Sequence, residues 1–353
     1  MPHLVAAPDK FRGTASAPEA AAAAARGARA MGWTADEVPM SDGGEGLLDA
    51  CGGSPRFTTV TGPLGQPVEA EWRLLETGVP LVAGGTNVPL TAVVEMSKAA
   101  GRALVPKPRG DDPVRATTAG VGQLLLAARD AGARRIVIGC GGSATTDGGV
   151  GAFEAVGSAS ALRDVELVVA SDVTTPFLEA AAVFGRQKGA TPTQVALLGD
   201  RLVEVAARYR HEAGVDVTTV PGAGAAGGLA GGLVALGARI EPGFGFVAGL
   251  VGLAARMESA DLVMTGEGHV DPPSFHGKVP GGVLELARGR SGRGRPLPVL
   301  CVAGGVDAAL LVEPPDGIAV VSLVARFGRA RARSETAALI EQVTAESLAP
   351  FCP

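Results

Sequence analysis

At 353 residues the chain exceeds the size to which one compact core usually grows, so its length favours two domains with a cleft between them. Its 31 basic and 36 acidic residues give a formal charge of −5, which excludes a general nucleic-acid-binding surface but leaves room for one phosphorylated small molecule. Aromatic residues make up only 4 % while 52 residues are glycine, so the core must be built from Val, Leu, Ile and Ala with closely approaching backbones, a make-up that suits α/β layers.

In chain order, His3 to Ala7 reads as a first strand ending at Pro8-Asp9-Lys10-Phe11-Arg12-Gly13. Ser16, Pro18 and Glu19 then form a capping signal for a helix over 18–31. Lys10 and Arg12 thus leave the carboxyl end of a strand, where open α/β sheets bind ligands, and two cations there suit an anionic substrate; a solvated basic loop is the plain alternative. A short strand near Glu37–Met40 leads to Ser41-Asp42-Gly43-Gly44-Glu45-Gly46, an acid beside paired glycines. From Phe57 to Met96, short alternating runs (Thr58–Val60, Val68–Leu74, Val79–Ala83, Ala92–Glu95) between Gly and Pro turns predict a β-meander. A helix over Pro113–Ala131 precedes the run Arg135-Ile136-Val137-Ile138, a strand buried on both faces.

That strand opens into Gly139-Cys140-Gly141-Gly142-Ser143-Ala144-Thr145-Thr146-Asp147-Gly148-Gly149. Glycines without Cβ let successive N–H groups face an anion, and Ser143, Thr145 and Thr146 add hydroxyl donors, so phosphate is the expected guest. Asp147 would stand beside it, with a divalent cation relieving the repulsion. Val165–Val173 predicts another buried strand that delivers Asp172, and Lys188, just before a helix over Pro192–Ala213, is placed to steer a phosphate towards that helix start. Gly222-Ala223-Gly224-Ala225-Ala226-Gly227 is a second glycine-rich element. Apolar runs at Ala260–Thr265, Leu297–Ala303 and Ile318–Leu323 restore the strand–helix rhythm of the first fifty residues, so 1–56 and 255–353 are expected to share one parallel sheet, with 57–254 inserted as a second domain.

Other chemistries fit less well. Gly139, Gly141 and Ala144 satisfy a variant dinucleotide fingerprint, but no acid ends a second strand at the expected distance of about twenty residues. A Walker A loop is missing, and Gly141–Thr145 fails the nucleophile-elbow pattern at its last residue. Cys51, Cys140, Cys301 and Cys352 form no metal-ligand spacing, and His269 and His276 read as loop histidines. No run approaches the roughly eighteen apolar residues of a membrane span, and MPHLVAAPDKF lacks a basic leader, so a cytoplasmic protein with no membrane and no nucleic-acid partner is expected. Four acids at strand ends, Asp9, Asp42, Asp172 and Glu267, with Asp271 and Lys278 following the last of these, need donors or a metal to meet them, because buried unpaired carboxylates are costly.

The ordered blocks Ala7-Pro8-Asp9-Lys10-Phe11-Arg12-Gly13, Pro39–Gly46, Thr61-Gly62-Pro63-Leu64-Gly65, Gly141–Gly149, Gln187–Thr191, Gly222–Leu229 and Thr265-Gly266-Glu267-Gly268 resemble the type I glycerate kinases over nearly the whole length. The resemblance implies a two-lobed α/β fold, a Rossmann-like parallel-sheet domain interrupted by an inserted mixed α/β domain, with the active site between them. It also implies an enzyme that moves the γ-phosphoryl of ATP, with Mg²⁺, to a hydroxyl of glycerate, most often the 2-hydroxyl. On that reading Asp42, Asp172 and Lys188 are catalytic, and Asp42 or Asp172 holds the metal. Asp9, Lys10, Arg12, Glu267, Asp271 and Lys278 meet the hydroxy acid, while Gly141, Gly142, Ser143, Ala144, Thr145, Asp147, Gly222, Gly224 and Gly227 meet the nucleotide. A different hydroxylated acceptor or a non-catalytic ligand-binding role is the alternative, and a homo-oligomer is left open. The chain departs from the family pattern at Arg12, where a lysine is usual, and at Asp271-Pro272-Pro273-Ser274-Phe275-His276-Gly277-Lys278, which lacks the usual glutamine.

Overall fold

A computed structural model describes residues 1–75, 89–105, 107, 109–289 and 296–349. Thirteen strands are described: β1 (His3–Ala6), β2 (Thr34–Glu37), β3 (Ser54–Thr61), β4 (Pro67–Leu75), β5 (Thr91–Glu95), β6 (Arg135–Gly139), β7 (Glu166–Ala170), β8 (Arg239–Glu241), β9 (Leu262–Thr265), β10 (His269–Val270), β11 (Val299–Ala303), β12 (Gly305–Val306) and β13 (Ile318–Ser322). They form a five-stranded sheet in the order β13-β11-β9-β1-β2, a six-stranded sheet in the order β3-β4-β5-β6-β7-β8, and the small pair β10-β12. Every pairing in the first sheet is parallel. The second is mixed: β3, β4 and β5 run antiparallel as the expected meander, and β5 to β8 run parallel.

The continuous apolar strands explain the layers. Leu4, Val5 and Ala6 of β1 and Ile136, Val137 and Ile138 of β6 are fully buried, as central strands covered on both faces require. The helices Ala17–Ala30 and Thr336–Leu348 cross on one face of the first sheet, and Gly27 allows the close approach, since a Cβ there would lie 2.4 Å from the Glu341 carbonyl oxygen. On the other face, Phe244, Val247, Leu250 and Leu253 pack with Val5 and Val263 of the first sheet and also with Val93, Val137 and Ala170 of the second, so one apolar cluster joins the two sheets.

Local signals held where the chemistry is local. The expected capping box of Ser16 with Glu19 forms, and further boxes join Thr191 with Gln194 and Asp271 with Ser274. The second strand runs over Thr34–Glu37, earlier than the apolar residues Val38 and Met40 suggested; these still donate backbone bonds to Ala6 and Pro8, so pairing outlasts the strand. The single helix expected over Pro113–Ala131 is two, Asp112–Arg115 and Ala119–Asp130, broken where Thr118 turns its N–H and hydroxyl to Asp147. The strand expected over Val165–Val173 is confined to Glu166–Ala170, and Asp172 lies two residues past it. Val79–Ala83 lies outside the described residues.

Candidate active site

The loop leaving β6 is clamped from both sides. Gly101 bridges Ser143 in antiparallel fashion, Arg102 N donates to Gly142 O at 2.8 Å, and Ala144 N donates to Ala100 O at 2.9 Å. Asp147 anchors its far end, Oδ2 accepting from Thr118 N and Oγ1 (2.8 Å each) and from Gly151 N, and Oδ1 from Gly149 N. That carboxylate is buried and saturated, and it faces away from the cleft. The Tyr209 hydroxyl, fully buried between Phe153 and Phe177, donates to Gly148 O at 2.8 Å.

The second glycine element buttresses the first. A Cβ on Gly227 would lie 2.1 Å from Thr145 O, one on Gly224 2.3 Å from Pro176 O, and one on Gly222 2.7 Å from Val173 O, so these glycines are where backbones touch. Ala226, at φ +54°, is the residue of Gly222–Gly227 that borders the cleft. Lys188 Nζ donates to Thr145 O at 2.5 Å, so it reaches the glycine loop and not the start of the helix Pro192–Glu212. Burial pulls its pKa down to about 7; Asp147 opposes this and the neighbouring Arg102 adds to it.

The acids converge around Asp42. Asp9, 5 % exposed, accepts from Lys10 N at 2.6 Å and has Lys10 Nζ at 3.4 Å; burial pushes its pKa up to about 7, Lys10 opposing and Asp42 and Glu267 adding their charge. Asp172 Oδ1 accepts from Gly243 N at 2.8 Å and Oδ2 from Phe244 N at 3.4 Å; burial, and after it the Asp42 charge, raise it to about 6 against those two bonds. Glu267 is raised chiefly by burial, and its Oε1 is a buried acceptor without a hydrogen-bond partner. Asp42 itself accepts from Gly44 N at 3.1 Å. Asp271 caps the turn Pro272–Phe275 and lies 3.9 Å from Lys278. Behind the Asp42 loop, buried Glu95 accepts from Leu48 N and the Ser97 hydroxyl, fixing where the loop ends.

Two cavities open between the carboxyl edges of the sheets. The larger, about 530 Å³, is lined by Gly141–Ala144, Lys188 and, from elsewhere, Arg102 and Gln187. The smaller, about 440 Å³, is lined by Lys10, Asp42, Asp172, Lys278, Ser171 and His276. Arg12, Glu45, Cys140, Gly141, Gly142 and Val173 border both, so the cavities are contiguous. Asp9, Glu267 and Asp271 stand behind the smaller cavity, and Thr145, Asp147, Gly222, Gly224 and Gly227 behind the larger one, lining neither. The sequence patterns did not single out Arg102, which no motif marks, or the place of Glu45 and His276 in the walls. Glu45 and Gln187 had a usable signal, since each sits inside a quoted block beside a residue that was chosen.

Among the described residues no three His, Cys, Asp or Glu side chains converge as a metal cage, and no helix is long and apolar enough to cross a membrane. A larger cavity with a glycine loop and cations, joined to a smaller one with acids and cations, is a layout for passing a charged group between two small molecules.

Comparison with known proteins agrees. The model of the Glycerate kinase family matches residues 4–161 and 158–351. The chain is 36 % identical to the glycerate 2-kinase of Escherichia coli K12, over 92 % of this chain and 91 % of that protein. It is also 36 % identical to the glycerate kinase of Halalkalibacterium halodurans, over 89 % and 91 %. A crystal structure assigned to glycerate kinase 2 of Salmonella typhimurium LT2 superposes with a TM-score of 0.76 at 32 % identity, covering 99 % of each chain. With matches running through both sheets and both walls of the cleft, the chain belongs to the glycerate kinase family.

Proposed function

We propose that the chain is an ATP-dependent kinase that transfers the γ-phosphoryl group to glycerate, with the nucleotide phosphates in the larger cavity and the hydroxy acid in the smaller. The observation that carries this is the shared wall of the two cavities, which lets a donor and an acceptor meet without either leaving its own set of charges. Gly141–Ala144, Lys188 and Arg12 are the groups for the triphosphate, and Lys10, Arg12 and Lys278 offer cations to the acceptor carboxylate. The E. coli relative's name favours the 2-hydroxyl as acceptor.

Asp42 and Asp172 are the residues that would hold Mg²⁺. Both line the smaller cavity, and the charge of Asp42 raises the pKa of Asp172, a repulsion that a divalent cation relieves; two carboxylates with phosphate oxygens and waters suit magnesium. When bound, the ion neutralises charge on the phosphates. Residues 1–56 with 255–353 are taken as one domain and 57–254 as the inserted one, and the enzyme is taken to be cytoplasmic. The wall residues Pro273 and His276, in the stretch that departs from the family pattern, favour a related hydroxy acid as the second reading for the acceptor. ADP release measured with Mg²⁺ across a panel of small hydroxy acids tests both: glycerate is expected to give the highest kcat/KM, and a higher value for another acid replaces it.

A further inference from the structure

Of the six residues that border both cavities, Arg12 and Glu45 are the two that carry charge, one of each sign. Both therefore stand where the two cavities adjoin. Glu45 lies on the glycine loop itself: a Cβ on Gly142 would fall 2.1 Å from Glu45 Oε1 and 3.0 Å from its Cγ. Gly142, at φ +69°, therefore leaves the space that the Glu45 side chain fills. Of the other carboxylates lining the smaller cavity, Asp172 accepts through both oxygens from Gly243 N and Phe244 N, and Asp42 through Oδ1 from Gly44 N. Among the described residues nothing donates a hydrogen bond to the Glu45 carboxylate and no cation pairs with it, although it is half-buried. A half-buried carboxylate with free lone pairs, at the one place donor and acceptor share, is positioned to receive a proton.

We infer that Glu45 is the general base of the transfer, taking the proton of the acceptor hydroxyl at the mouth between the two cavities. The inference rests on the kinase reading given above. As the hydroxyl oxygen forms its bond to the γ-phosphorus, the bond from that phosphorus to the β,γ-bridging oxygen breaks and its electron pair leaves with ADP. The hydroxyl proton goes to a Glu45 carboxylate oxygen and from there to water, so ATP and alcohol become ADP, phosphomonoester and one proton. Arg12, on the same mouth, faces the charge spread over the moving group.

The experiment uses the full chain with ATP, Mg²⁺ and glycerate. Wild-type protein that releases no ADP with any hydroxy acid takes down the kinase reading itself and leaves nothing for Glu45 to catalyse. With wild-type turnover in hand, Glu45→Gln is expected to lower kcat by about 10²–10⁴-fold, the range for losing a positioned base, while the calorimetric dissociation constants for ATP and glycerate stay within about two-fold of wild type. Glu45→Ala, which opens room beside Gly142, is expected to regain part of its kcat with added formate, whereas Asp172→Asn gains nothing. A Glu45→Gln enzyme that keeps wild-type kcat, one whose loss lies in ATP affinity, or a Glu45→Ala enzyme unresponsive to formate overturns the assignment.

Discussion

Asp147 and Thr118 are joined by two hydrogen bonds of 2.8 Å, one from the threonine N–H and one from its hydroxyl, and this pair breaks the chain into the helices Asp112–Arg115 and Ala119–Asp130. Because Asp147 also accepts from Gly149 and Gly151, it holds the glycine loop to the wall of the larger cavity. Asp147→Ala leaves several buried donors unsatisfied and is expected to cost about 2–4 kcal/mol of stability. Denaturant unfolding measures this, and a variant with unchanged midpoint but lost ATP binding would instead put the carboxylate on the ligand.

Lys188 gives a pH signature. Its folded pKa, about 7, lies below the unfolded 10.5, so between those values the unfolded chain holds more protons and stability from this group rises with pH, by about 1.4 kcal/mol per unit at most. Lys188→Met is therefore expected to flatten the stability curve over that window, to raise stability at and below pH 7, and to weaken ATP binding. Phosphates placed beside Nζ favour its charged form, so ATP binding near pH 8 is expected to take up protons, read by calorimetry in buffers of different ionisation enthalpy. Equal heats in all buffers would remove Lys188 from the phosphate site.

The glycine loop, the acid-bearing turns and the capping box of Ser16 with Glu19 were legible in the sequence because each depends on a few adjacent residues. Arg102 was not, since the pairing of Gly101 with Ser143 brings it to the cleft from a segment with no motif of its own. Glycines 222, 224 and 227 show the opposite difficulty. A glycine that lets a phosphate approach and one that lets Thr145 O approach look alike in sequence, and only the distances tell them apart. The break at Thr118 was hidden in the same way, because the apolar spacing runs through it while its cause, Asp147, lies 29 residues on.

Burial raises the pKa of Asp172 to about 6, which gives its proposed role a pH signature. If its ionised form is needed, kcat/KM falls as pH drops through about 6, and Asp172→Asn lowers kcat by roughly two to four decades at every pH. The stability sign is the reverse of that for a salt-bridged acid. Between 3.8 and about 6 the folded state holds more protons, so this group's contribution declines as pH rises through that window, and Asp172→Asn removes the decline. A variant with wild-type turnover would place Asp172 outside the mechanism.

Arg12 borders both cavities, so its loss should be felt on both sides of the transfer. Arg12→Ala is expected to reduce kcat/KM by about 2–4 kcal/mol whichever substrate is varied, and Arg12→Lys to recover part of it, because a lysine keeps the charge but not the two-pronged geometry. Steady-state kinetics with each substrate varied in turn decide it. A defect confined to glycerate would reduce Arg12 to a carboxylate anchor, and no defect would leave it a solvated loop residue.

The most direct measurement is ³¹P NMR of a reaction containing the protein, ATP, Mg²⁺ and glycerate. A phosphomonoester signal of phosphoglycerate is expected to grow in step with ADP, with no ADP when glycerate is left out. ADP formed together with inorganic phosphate at the same rate with or without glycerate would contradict transfer across the two cavities.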